Sequence, residues 1–342
     1  MNNEKTKIRS IVRREHADGY LLTSLVVFGA TVIFTRLFLQ LTGFPQIGNS
    51  VLHIAHALWG GLLLFVAVLL PLAMANRWAL QLSAILSGLG IGLFIDEVGK
   101  FITQANDYFF PPALSLIYGF FLICVFFYLL FRRSSSNEPR RAMYHALEGL
   151  QEILDGDMDK REAGLIESHL EVAKRSDREE LASLASVLSE YLEREKGQLL
   201  LAEHSNWKRS VKNLDSLGQR IGRRTHHTIV SGILIFWLAL IVGYIAILVL
   251  AGPSIDDLVI QWRAVLLVIQ VTIGTLMFIA VITWFLEDET RGLKFGISGF
   301  LVSLITLQLH YFYISQFAAI TTTLLQLTFL LVLLSYRRFY LK

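Results

Sequence analysis

TIVSGILIFWLALIVGYIAILVLA, residues 228–251, contains no Asp, Glu, Lys or Arg. As a helix rising ~1.5 Å per residue, these 24 positions reach about 36 Å, enough to cross the ~30 Å hydrocarbon core of a bilayer. A helix on the surface of a soluble domain needs only one apolar stripe. This one is apolar on every side, so its surroundings on every side must be apolar too. Seven further windows are long and apolar enough to cross as well, near 20–40, 51–74, 79–100, 112–131, 258–286, 293–313 and 316–336. The fold class expected is therefore an all-α polytopic membrane protein with eight transmembrane helices.

The composition agrees. Of 342 residues, 54% are apolar and 17% charged, and mean hydropathy is +0.53. Soluble domains carry about 25% charged residues. A disordered chain is excluded, and a purely soluble enzyme is nearly so. Cys124 is the sole cysteine, so no intrachain disulfide and no cysteine-rich zinc site can form. The formal charge of +3 is too small to point to nucleic acid. The first window is too long for a signal-peptide core and lacks a small-residue cleavage site, so it reads as a retained span.

Basic residues fall into alternate connections. Lys5, Lys7, Arg9, Arg13 and Arg14 precede the first span, Arg77 sits in the second turn, and Arg132 and Arg133 follow the fourth span. Arg291 and Lys294 lie in the sixth turn, and Arg337, Arg338 and Lys342 end the chain. Residues 41–50 and 252–257 contain no Lys or Arg. By the excess of positive charge in cytoplasmic loops, both termini are expected in the cytoplasm of an inner (plasma) membrane protein.

Between the fourth and fifth spans lies a polar insert, residues 132–227, holding more than half of the charged residues. The expected organisation is a membrane half at 1–131, this cytoplasmic helical insert, and a second membrane half at 228–342. Met143, Leu147, Leu150 and Leu154 recur at helical spacing, as do Leu181, Leu184, Leu188 and Leu192, and then Trp207, Val211, Leu214, Leu217 and Ile221. Residues 138–225 are a candidate surface for a cytoplasmic protein partner. Leu154-Asp155-Gly156-Asp157, Glu162 and Ile166-Glu167-Ser168-His169-Leu170 resemble the helical zinc-binding domain of anti-sigma factors. That resemblance implies cysteines four and seven residues after the histidine. Ala173 and Ser176 stand there instead, so its zinc site is not implied and the insert is expected to fold without metal.

Ionisable side chains inside spans cost roughly 2.5–3.5 kcal/mol each on insertion scales, so each needs a reason. Counted at ~1.5 Å per residue, Arg36, His53, His56, Asp96, Arg263 and His310 all fall in the outer third of the bilayer. Gly88, Gly92, Asp96 and Lys100 recur every fourth residue and would share one face of a third span reaching residue 100. Gly88 and Gly92 make a small-residue surface, expected to pack on Gly60-Gly61 of the second span. That packing would bring His53 and His56 beside Asp96 and Glu97. Two imidazoles with carboxylates suit a divalent metal such as zinc.

The pair of motifs His53-Ile-Ala-His56-Ala-Leu-Trp-Gly60-Gly61 and Gly90-Ile-Gly92-Leu-Phe-Ile-Asp96-Glu97-Val-Gly-Lys100 resembles a pattern in uncharacterised bacterial integral membrane proteins. In those, a histidine-bearing helix start precedes a glycine-rich helix ending in Asp-Glu. The resemblance implies one shared site and brings no activity with it.

The foremost expectation is a metal-dependent hydrolase of a lipid or lipid-linked substrate. His53, His56 and Asp96 would hold the metal and Glu97 would act as general base. Arg36, Lys100 and Arg263 would bind an anionic head group. A proton-coupled transporter using the same residues as a relay, or a sensor signalling through the insert, are the alternatives. In the later spans, Gly299, Ser303, Thr306 and His310 echo the third span's face, and Gln261 and Arg263 echo the start of the second, consistent with a four-plus-four arrangement.

Overall fold

The computed structural model describes residues 12–43, 55–105, 107, 108, 110–132, 138–155, 158, 160–199, 222–250 and 257–341. Among these, all regular structure is helical: α1 (Ala17–Thr42), α2 (His56–Ala73), α3 (Arg77–Asp96), the short α4 (Val98–Ile102), α5 (Pro111–Arg132), α6 (Pro139–Asp155), α7 (Lys160–Lys174), α8 (Glu179–Leu199), α9 (Arg223–Leu250), α10 (Asp257–Phe285), α11 (Glu289–Ile314) and α12 (Gln316–Tyr340). Eight of these are long and apolar enough to cross a membrane, and they fall on the eight windows read from sequence. The chain is an all-α polytopic membrane protein. The stripe from Trp207 to Ile221 and the His53 position lie outside the described residues.

The chain divides into two compact units, one of residues 1–97 and 123–208, the other of 98–122 and 209–342. In the first, α3 packs against both α1 and α2, and glycines set both contacts. A Cβ on Gly88 would lie 2.5 Å from Ser24 O, and one on Gly92 would lie 2.6 Å from Thr31 Cβ, so this face of α3 sits directly on α1. A Cβ on Gly60 would lie 2.7 Å from Gly90 O, so α2 meets the neighbouring face of α3. The expected pairing of Gly88 and Gly92 with Gly60-Gly61 is thus corrected. Gly90 is the glycine that faces Gly60, and Gly61 has nothing within 4 Å of where its Cβ would be. The outer side of α2 carries Leu58, Trp59, Leu62, Phe65, Leu69 and Leu72, all exposed and suited to lipid.

The third span also ends sooner than its apolar run suggests. Glu97 is the C-cap of α3, and Lys100 stands on α4. The ammonium of Lys100 lies 5.5 Å from the ring centre of Tyr108.

The insert's described part is a three-helix core of Met143, Ala146, Ile153, Met158, Ile166, Leu170, Ala173, Ala185 and Leu192. Gly149 lets α6 approach α7 closely, since a Cβ there would lie 2.6 Å from Ile166 Cγ1. Leu147 and Leu184 are exposed, so the stripes read from sequence were each partly turned from the core. Ala173, one of the two positions where the anti-sigma pattern has cysteine, is fully buried apolar packing. The segment before α1 belongs to the same unit and is pinned to the insert side. Arg13 Nη1 donates to Phe131 O at 2.9 Å and Leu130 O at 3.2 Å, the last carbonyls of α5. Arg14 pairs with Glu148 at 3.4 Å, and Arg77 of the α2–α3 turn side lies 3.9 Å from Glu162.

In the second unit α11 is central, with half of its apolar window buried. Its Leu293, Phe300, Leu304 and Leu307 pack with Trp237, Met277, Trp284 and Tyr336. Ser115 and Tyr118 of α5 donate to Leu309 O at 2.7 Å and Leu304 O at 2.8 Å.

Candidate intramembrane site

Asp96 and Glu97 are consecutive, so in a helical turn their side chains point about 100° apart. That divergence puts each on a different neighbour of α3. Asp96 continues the Gly88/Gly92 face, four residues per step, and meets α1. Arg36 Nε donates to Asp96 Oδ1 at 2.6 Å, and its Nη2 donates to Asp96 O at 3.2 Å. The guanidinium thus binds the side chain and also satisfies a carbonyl at the end of α3, which lacks an intrahelical donor. Glu97 meets α2. Ala55 precedes that helix and offers no capping side chain, and Glu97 Oε2 accepts from Ala57 N at 3.0 Å in its stead. A carboxylate is favoured there because the N-terminus of a helix carries partial positive charge.

His56, the first residue of α2, stands between the two acids. Its Nε2 lies 3.3 Å from Asp96 Oδ2 and its Nδ1 lies 3.6 Å from Glu97 Oε1. Asp96 and Glu97 are fully buried, Arg36 is 3% exposed, and the His56 side chain is 24% exposed. Burying charge is tolerable only when opposite charges and hydrogen bonds surround it. These four groups sum to −1 with a neutral imidazole and to zero with an imidazolium.

Of the residues singled out from sequence, Arg36, His56, Asp96 and Glu97 come together. His53 lies outside the described residues, Arg263 is on α10 with its side chain not described, and Lys100 is on α4 of the second unit. Arg36 meets Asp96. The donor set bears on the expected metal. Three residues share an ion only when one atom of each can reach a common point, as zinc ligands do at ~2.0–2.3 Å. Here each carboxylate faces a different ring nitrogen, and one oxygen of Asp96 is taken by a guanidinium. The ring lies between the two acids.

The second unit holds buried amides that a search restricted to ionisable residues passes over. Gln270, Gln308 and Gln326 are buried on α10, α11 and α12, and Gln308 Nε2 donates to Thr322 Oγ1 at 3.2 Å. Among the described residues, neither the side-chain oxygen nor the nitrogen of Gln326 has a hydrogen-bond partner, and neither does the buried Ser303 Oγ. Their signal was present in the sequence as amides and hydroxyls within apolar spans.

Comparison with protein-family models, with curated proteins and with solved structures finds no match to this chain. The class is defined by the spans alone: an integral membrane protein.

Proposed function

We propose that this chain is a proton-coupled membrane transporter of the inner membrane, with the insert and both termini in the cytoplasm, and that His56 exchanges protons between Asp96 and Glu97. The observation that carries this reading is one partly exposed imidazole whose two nitrogens each face a different fully buried carboxylate. A proton taken up at Nδ1 from the Glu97 side and one given from Nε2 to Asp96 invert the ring's tautomer and move one charge between the acids. Histidine suits the task because its unperturbed pKa lies near neutrality. Arg36 fixes Asp96 in place, and Ala57 N fixes Glu97. Ionisable residues facing a bundle interior are the usual carriers of proton relays in membranes.

The test is proton movement into proteoliposomes enclosing a pH-sensitive dye, driven by a potassium gradient with valinomycin. Wild type should acidify the lumen well above protein-free vesicles, and His56→Gln should slow this at least ~10-fold while eluting as wild type from a sizing column. Equal rates for wild type and His56→Gln, or no wild-type flux at all, would leave the cluster a structural ion-pair network.

A further inference from the structure

A second histidine cluster lies at the other end of α1. Glu15 precedes the helix, His145 is on α6 and His169 on α7. One ligand atom from each lies within 4.8 Å of the other two, and all three residues are half-buried. We propose that Glu15, His145 and His169 bind one divalent transition-metal ion, zinc by ligand type, and so fasten the segment before α1 to the insert.

Four features converge on this. First, the donors are two imidazoles and one carboxylate, a set suited to zinc. Second, the ligands rest on a rigid frame: the two rings belong to packed helices and meet edge to face with centroids 5.2 Å apart. Third, the outer hydrogen bonds already suit ligation. His145 Nε2 lies 3.1 Å from Arg13 O, and donation there leaves Nδ1 with its lone pair. Metal-bound histidines almost always donate their second ring nitrogen to a carbonyl or carboxylate in this way. The backbone N of Glu15 donates to Glu148 Oε2 at 3.1 Å, holding the ligand's main chain. Fourth, there is room. A cavity of about 310 Å³ is lined by Glu15, His145 and His169 among others, so a water can complete a four-coordinate ion.

Among the described residues, the hydrogen bond joining two of the three ligands directly is His169 Nε2 with Glu15 Oε1 at 3.0 Å. His16, the N-cap of α1 that follows Glu15, has φ 58°, a left-handed conformation. Of the four arginines lining the cavity, Arg13 is engaged on the carbonyls of α5 and Arg14 on Glu148.

The experiment uses the full chain in detergent, stripped with chelator and dialysed against zinc. Metal content by mass spectrometry should be one zinc per chain, and cobalt(II) in its place should give the visible bands of a four-coordinate ion. His169→Gln keeps a donor toward Glu15 but removes the ligand, and Glu15→Gln lies outside the insert and cannot unfold it. Each should lower zinc affinity by ~100-fold or more, exceeding the ~10–100-fold typical of losing an outer hydrogen bond. Zinc should also slow tryptic cleavage at Arg13 and Arg14 in wild type and not in either variant. His56→Ala should retain its zinc. No zinc in wild type, zinc unchanged in both Glu15→Gln and His169→Gln, or zinc lost in His56→Ala would each overturn the proposal.

Discussion

Replacing Gly60 by alanine, with Gly61→Ala beside it, separates close helix contact from every other effect of adding a methyl group. On Gly60 the new Cβ lies 2.7 Å from both Gly90 O and Phe94 N, and both are backbone atoms that no rotamer change can move. Restoring an ordinary contact of 3.4 Å requires α2 and α3 to part by roughly 0.7 Å. His56 is one turn away, so its 3.3 Å approach to Asp96 would widen toward ~4 Å, and the 3.0 Å bond from Ala57 N to Glu97 toward ~3.7 Å, beyond useful hydrogen-bond length. Overpacking costs about 1–3 kcal/mol, and a lost hydrogen bond to a charged group about 1.5–3 kcal/mol. Allowing for overlap between the two, Gly60→Ala should destabilise by about 2–4 kcal/mol. Gly61 has nothing within 4 Å, so alanine there should be neutral or gain up to ~1 kcal/mol from helix propensity. Unfolding followed by tryptophan fluorescence in detergent with rising SDS reads both variants. Equal midpoints for the two would refute the account of the α2–α3 contact.

Arg36→Leu should destabilise by about 3–5 kcal/mol in the same assay, because Asp96 would keep a buried charge without its guanidinium; Arg36→Leu with Asp96→Leu should recover most of that loss. In a Cys124→Ala background, cysteines at Ser186 and Gln104 should be labelled from opposite sides of the membrane, and an impermeant reagent reaching both in intact cells would show the span count to be wrong. A fragment of residues 138–225 should be helical by circular dichroism and indifferent to chelator. Its core is apolar and Glu15 is absent from it, so a chelator-induced loss of helix would disprove metal-free folding of the insert.

The spans were legible because lipid demands apolar side chains all round a helix, a pattern that soluble cores do not require. The insert was legible by contrast, as the one long stretch of charge. Arg36, His56, Asp96 and Glu97 stood out because ionisable groups inside spans are rare. Their pairing was harder to read. Gly88 and Gly90 differ by two positions, about 200° around a helix, and sequence does not say which neighbour each faces. The end of α3 was hidden because no Gly or Pro follows Asp96 directly, so the apolar run carried the reading on to Lys100. The cluster of Glu15, His145 and His169 was illegible for a different reason: its members come from three elements, and each is unremarkable on its own. Only His169 drew notice, through a pattern whose cysteines are missing.

The pinning of Arg13 to Glu15 has a consequence for biosynthesis. The partners of this segment are synthesised 117–154 residues later. At ~5–20 residues per second, Glu15 waits roughly 7–30 s after leaving the ribosome before Glu148 and His169 follow. Four spans must enter the membrane in that interval. If any one fails to cross, or enters reversed, the insert emerges on the opposite face from Glu15 and the contact cannot form. Seating of the N-terminal segment is thus a parity check on the first half of the molecule, closed only when an even number of crossings separates it from the insert.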